Sequence, residues 1–214
     1  GAKAGATHDD LLKLRDVAKQ LGADFPRSAT QAAEAMDGLA ASGMNASQIM
    51  SSLPSIVEAS VASGENLETT AGIVSGALNT WGLQEGNVAE NATRMADVIQ
   101  MAANKSRLDM GGFGNAIQYA GAPAAALGIS VEELSTSLAI MSNNNIEAST
   151  SGRALRMMLS RLIDPPKEAA DALQKLGIAT TDSQGKFIGL GKVYDQLRTK
   201  MQGLTEAEKF KLAG

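Results

Sequence analysis

Three groups of residues could do chemistry by their type and spacing. Glu132-Glu133 is the one adjacent pair of glutamates, and paired carboxylates serve hydrolysis when their environments hold one of them protonated. Here the pair falls in the first turn of an expected helix, where acids are favoured by the helix dipole. Gly111-Gly112-Phe113-Gly114 has the glycine density of a phosphate-cradling loop. It follows a helical pattern rather than a strand, lacks the Lys-Ser/Thr of a P-loop and has no dinucleotide spacing. A helix start or a close helix–helix contact is the reading that remains. Arg153, Arg156 and Arg161 are the third group. They are either a solvated face or an electrostatic docking surface, and they stand as the candidate interaction surface. The chain has no cysteine and a single histidine, His8. Disulfides and thiolate metal sites are thereby excluded, together with histidine zinc sites and nearly all histidine-dependent triads. The residues assign no catalytic group, no metal ligands and no cofactor.

The element that must position the arginines runs from Ile146 to Ile178. Leu155, Met158, Leu159 and Leu162 recur at helical spacing on one face, with the three arginines pointing largely elsewhere. Asp164 is expected to cap the next helix, and Pro165-Pro166 both ends the first helix and suits the start of the second. Ala169, Leu173 and Leu176 form a new apolar stripe that Gly177 stops in the manner of a helix C-cap.

The rest of the chain reads as further helices. Asp9-Asp10 opens the first, with Leu11, Leu14, Ala18 and Leu21 on one face and Gly22 as its expected end. A second, capped by Ser28, carries Ala32, Met36 and Leu39. A third holds Ile49, Leu53, Ile56 and Val57, with Pro54 predicting a kink or two short helices. Leu67, Ala71, Val74, Leu78 and Trp81, then Val88, Ala92, Met95, Ile99 and Ala102, follow a three-four alternation. Gly43-Met44, Gly82-Leu83 and Gly128-Ile129 share one form: Gly in the left-handed position past a helix end, then an apolar residue folding back on the last turn. Ser130 and Glu133 form an expected capping box. These turns predict repeated helical hairpins, and their unequal spacing argues against a regular solenoid. Ile178–Thr180 and Lys186–Ile188 flank a turn sequence and predict one small β-hairpin near 178–188. A helix with Val193, Leu197 and Met201 follows, and Thr205-Glu206-Ala207-Glu208 reads as another capping box. The predicted fold is therefore all-α, an irregular bundle of helical hairpins with that one hairpin. Residues 1–8 read as a leader, 9–176 as the bundle and 177–214 as the hairpin plus C-terminal helices of a chain cut from something longer.

Composition bounds the interior. Of 214 residues 44% are hydrophobic but only 3% aromatic, so the core must be built from Leu, Ile, Val, Met and Ala. The ten methionines are expected mostly in that core, though adaptable Met surfaces also suit partners. A net charge of −4 does not recommend sequence-specific nucleic-acid binding. Its distribution is uneven: residues 1–150 carry 8 basic and 16 acidic side chains, and residues 151–214 carry 11 and 7. Such polarity suits solvated surfaces of different composition, or contact with another copy or an acidic partner. No run approaches the length of a membrane span.

Several segments resemble one family. Ile146-Glu147-Ala148-Ser149-Thr150-Ser151-Gly152-Arg153-Ala154-Leu155-Arg156, Leu162-Ile163-Asp164-Pro165 and Ala172-Leu173-Gln174-Lys175-Leu176-Gly177-Ile178 resemble the core region of phage tail tape measure proteins. Upstream, Met95-Ala96-Asp97-Val98, Ala102-Ala103-Asn104-Lys105-Ser106, Tyr119-Ala120-Gly121-Ala122-Pro123-Ala124 and Leu127-Gly128-Ile129-Ser130-Val131-Glu132-Glu133 are similar to the same family's mid-region. Matching segments run in family order from about Leu39 to Leu204. The chain departs from the family at Ser151-Gly152-Arg153, where members often have Ala-Gly-Thr, and at Asn143-Asn144-Asn145. The resemblance implies a structural protein of a long-tailed phage, prophage or tailocin that lies in the tail lumen and sets tail length. It implies assembly in the host cytoplasm, and as partners other copies of the chain, tail tube and baseplate proteins and tail assembly chaperones. A cell-wall-cutting domain is the rival enzymatic reading. It is disfavoured because no Glu-Ser dipeptide of the lytic transglycosylase kind occurs and Glu132-Glu133 sits where a helix wants acids. A helical adaptor unrelated to phage is the other rival.

Overall fold

The computed structural model describes residues 5–207. Its helices are α1 (His8–Asp24), α2 (Ala29–Ala41), α3 (Ala46–Ser63), α4 (Leu67–Thr80), α5 (Val88–Lys105), α6 (Met110–Ala126), α7 (Val131–Asn143), α8 (Ala148–Ile163), α9 (Lys167–Leu176) and α10 (Leu190–Met201). Most start where the sequence supplies an oxygen to the free amides of the first turn. Thr7, Ser28 and Asn45 form reciprocal capping boxes with Asp10, Gln31 and Gln48. Asn66, Asn87, Asp109, Ser130 and Glu147 each accept from a first-turn amide.

The Gly–apolar turns close as their sequence predicts. Gly43, Gly82 and Gly128 all have positive φ, and the next residue's amide reaches back to the last turn. These bonds are Met44 to Leu39 at 3.2 Å, Leu83 to Leu78 at 2.8 Å and Ile129 to Ala124 at 2.9 Å. The same turn recurs at Gly177-Ile178 and, without glycine, at Asn145-Ile146, where Asn145 takes φ 64° and Ile146 bonds Met141 at 3.1 Å. Asn tolerates that conformation because its short polar side chain bonds locally.

The hairpins α1–α2, α3–α4, α5–α6 and α7–α8 stack. Within each the two helices touch, and helices two apart in sequence lie side by side: α1 on α3, α3 on α5, α5 on α7, and α2 on α4, α4 on α6, α6 on α8. This places an odd row against an even row with the core between them. The stripes read from sequence face inward: Leu67, Ala71, Val74 and Leu78 of α4 and Val88, Ala92, Met95, Ile99 and Ala102 of α5 are all buried. Phe113 is fully buried at the centre, beside Leu39, Leu53, Met95 and Met110 among the largest enclosed side chains. Buried hydroxyls bond carbonyls within a few residues of themselves, as Ser52 does to Gln48 at 2.8 Å and Thr70 to Asn66 at 2.9 Å. They therefore need no partner across the interface, and helices can approach on small residues.

Several local expectations give way to tertiary packing. Gly22 does not end α1. It lies inside the helix, where a Cβ would stand 2.8 Å from the backbone nitrogen of Ala29, so its smallness lets α1 and α2 meet. Leu11 is 42% exposed rather than part of the buried face. Helix α3 runs unbroken through Pro54, not as two short helices. Asp164 is the C-cap of α8, and α9 begins after Pro166 with no side-chain cap. The predicted β-hairpin is reduced to one antiparallel bridge, Thr181 with Phe187, closed by an Asp182 turn in which Gly185 bonds Asp182 at 3.0 Å. The Thr205–Glu208 box falls partly outside the described residues. Among those described, no helix is long and apolar enough to cross a membrane.

Candidate interaction surface

Helix α8 carries the three arginines, and its two faces differ. At its start Glu147 accepts from the Ser149 amide at 3.0 Å, the Ser149 hydroxyl at 2.5 Å and the Thr150 amide at 3.0 Å. These donors hold its carboxyl at about 2, well below the ordinary glutamate value. The inner face buries Ser151, Gly152, Leu155 and Leu159. A Cβ on Gly152 would lie 2.6 Å from the carbonyl oxygen of Ala116 and 2.9 Å from its Cα. Glycine is thus what allows α8 to lie directly on the α6 backbone. Gly112 is the counterpart on α6, with its absent Cβ 3.2 Å from that of Ala148. The Gly111-Gly112-Phe113-Gly114 run is therefore both the first turn of α6, capped by Asp109, and a contact seam: Gly114 meets the side chain of Ile73 in the same way.

The outer face of α8 is exposed. Arg153 lies over the Tyr119 ring, 4.7 Å from its centroid, and donates to the Tyr119 hydroxyl at 3.0 Å. This pins one guanidinium by stacking and a hydrogen bond together. Arg156 and Arg161 are exposed, and among the described residues neither has an ion pair or hydrogen bond. Arg153 and Arg161 border one groove, while Arg156 lies off it. The groove, about 750 Å³, runs between α8, α9 and α10. Its lining is otherwise apolar apart from Thr150, with Met157 and Met158 from α8, Leu173 and Leu176 from α9, and Leu197 and Met201 from α10. The apolar stripe of α9 lines this groove and is half-buried, with none of its residues fully buried. Met157, 55% exposed, is the residue sequence reasoning passed over. The signal available was three methionines, Met157, Met158 and Met201, on helices that follow Ile146.

Helix α10 is held in place by one of its own side chains and one from α7. Gln196 clasps Ala179 at both backbone groups, accepting at 2.9 Å and donating at 3.1 Å. Glu133 of α7 accepts from the Gly191 amide at 3.0 Å, capping a helix that has no local side-chain cap. The expected Ser130–Glu133 box is consequently half made: Ser130 receives the Glu133 amide at 3.2 Å, and the Glu133 carboxylate serves α10. Its neighbour Glu132 takes Arg94 of α5 in two bonds of 2.6 and 2.9 Å, which hold its carboxyl below the ordinary range. The two glutamates thus point to different partners and do not form a carboxylate dyad. Tyr194 of α10 reaches Met158 at 3.8 Å.

Helix stacking, caps and small-residue seams account for the polar residues singled out above, apart from the groove and its arginines. The model of the phage-related minor tail protein family matches residues 15–214. The chain belongs to the family of phage-related minor tail proteins. The chain is 32% identical over 208 residues to the tape measure protein of Pneumococcus phage Dp-1, covering 97% of the chain and 18% of that protein. It is 32% identical over 176 residues to the probable tape measure protein of Escherichia phage P2, covering 82% of the chain and 21% of that protein. The chain spans about a fifth of the length of these curated relatives. No solved structure matches it significantly. The resemblance carried by the 146–178 stretch therefore extends over nearly the whole chain.

Proposed function

We propose that this chain is a structural segment of a tape measure protein, contributing to tail assembly and tail length through helix-mediated contacts rather than catalysis. The observation that carries the reading is the continuous match to two tape measure proteins over 97% and 82% of the chain. The geometry supports it. Glu132 and Glu133 are engaged by Arg94 and the α10 amide, so the two carboxylates serve separate partners and do not form a catalytic pair. Its working place is the tail lumen after assembly in the host cytoplasm. Its partners are tube and baseplate proteins, tail assembly chaperones and other copies of itself, with no sequence-specific nucleic acid.

The test is tail length. In a phage whose tail protein carries this chain, removing about 70 helical residues from the same reading frame outside it should shorten the tail by about 105 Å, at 1.5 Å per residue. Tails of unchanged length would refute the ruler reading. Peptidoglycan clearing by the purified chain that disappears on Glu133→Gln would refute the non-catalytic part.

A further inference from the structure

We propose that the groove between α8, α9 and α10 is the docking site for an acidic amphipathic α-helix from a partner protein. This inference concerns the groove alone and holds or fails independently of the tail-length reading.

Four observations carry it. The first is position. In the stack, α6 is flanked by α4 on one side and α8 on the other, whereas beyond α8 the groove's other walls are α9, none of whose residues is fully buried, and α10. Among the described residues α8 thus lacks the second flanking helix that α6 has. The second is shape. All the walls are helices, and the α8 wall from Thr150 to Leu162 is about 18 Å long at 1.5 Å per residue. That matches about three helical turns, with apolar anchors spaced i, i+3 or i+4, and i+7.

The third is chemistry. Leucine, methionine and alanine make the floor, and the methionines can repack around an incoming side chain. The fourth is charge. Arg153 and Arg161 border the groove and no acidic residue lines it. Helix α8 has three arginines and no acid between Ala148 and Ile163, and α10 sets Lys192, Arg198 and Lys200 against Asp195 alone. An apolar ridge flanked by Glu or Asp satisfies both the floor and the rim; one flanked by Lys meets repulsion. The chain's own helix with exposed leucines, α1, places Lys13, Arg15 and Lys19 among its acids. Its rim is therefore mixed rather than acidic, and it is not the ridge this groove selects.

The experiment uses the 214-residue chain and two fluorescein-labelled synthetic helical peptides with one leucine pattern, the flanking positions being Glu in one and Lys in the other. Anisotropy at low salt is expected to show the Glu peptide binding at least about tenfold more tightly than the Lys peptide, with the gap closing as salt rises. Arg161→Glu and, separately, Met157→Glu are expected to weaken the Glu peptide by about tenfold or more. Both residues are exposed, so melting temperatures should stay near the parent's and two independent variants keep the test decisive. Equal affinity for the two peptides, no binding of the Glu peptide, or binding indifferent to both substitutions would overturn the proposal. Light scattering supplies the remaining outcome: dimers that Met157→Glu dissociates would assign the groove to a second copy and overturn it, whereas a monomer supports it.

Discussion

Gly152→Ala adds one methyl group at the place where two helices of the stack come closest. The new Cβ would lie 2.6 Å from the Ala116 oxygen, 2.9 Å from its Cα and 3.1 Å from its carbonyl carbon. All three are backbone atoms of α6, so no side chain can turn aside, and α8 must move away by roughly 0.5 Å or more to reach ordinary contact. That movement loosens Leu155 and Leu159, which α8 buries in the core. Overpacking of this kind costs about 1–3 kcal/mol, while replacing a helical glycine by alanine returns at most about 1 kcal/mol. The net expectation is a loss of about 1–2 kcal/mol, or roughly 2–8 °C in melting temperature for a chain of this size. Gly72→Ala is the matched control. It makes the same chemical change inside α4, where a Cβ meets nothing within 4 Å, and is expected to stabilise by about 0.5–1 kcal/mol. Thermal and urea unfolding followed by circular dichroism would measure both. If Gly152→Ala melts at or above the parent, or if the two substitutions shift stability in the same direction, the close approach of α8 to α6 is refuted.

Two further outcomes follow from the caps. The Glu147 carboxyl sits at about 2 against an ordinary value of 4.5. Because its folded value is depressed, its contribution is fully present above about 4.5 and is lost as pH falls toward 2. Glu147→Gln should therefore lower the melting temperature above about pH 4.5 and leave it little altered near pH 2, flattening the fall across that acid window; parallel curves would count against the cap. Glu133→Ala removes the oxygen that receives the Gly191 amide. It should cost about 0.5–2 kcal/mol, as lost caps do, and speed hydrogen exchange at Gly191 more than at amides of α2 or α4.

Local sequence rules reach three or four residues, and within that reach they determined much of the helix pattern. The buried stripes of α2 to α5, the Ser28 cap and the glycine turns after α2, α4 and α6 follow from side-chain period, a short polar oxygen before a helix and a residue that tolerates positive φ. Asn145 shows the margin of that rule: it takes the left-handed turn that glycine takes elsewhere, and an Asn run announces it less clearly than a Gly does. The 146–178 stretch reads as helix, proline corner and helix, which are α8, Pro165-Pro166 and α9.

What the tertiary structure decided depends on residues brought together from far apart along the chain. Gly152 is an ordinary helical residue until α6 lies against it. Gly22 looks like a terminator until Ala29 occupies the space of its missing side chain. Glu133 satisfies a local capping pattern, but the uncapped start of α10 lies 58 residues away and takes its carboxylate instead. The same holds for the arginines. Sequence placed Arg153, Arg156 and Arg161 on one polar side of a leucine stripe. Only the fold could tie Arg153 to Tyr119 and bring Arg153 and Arg161 to the rim of one groove with Arg156 outside it. A periodic stripe specifies that a face is apolar; which neighbour covers it, or leaves it open as along α9, is set by where the rest of the chain packs.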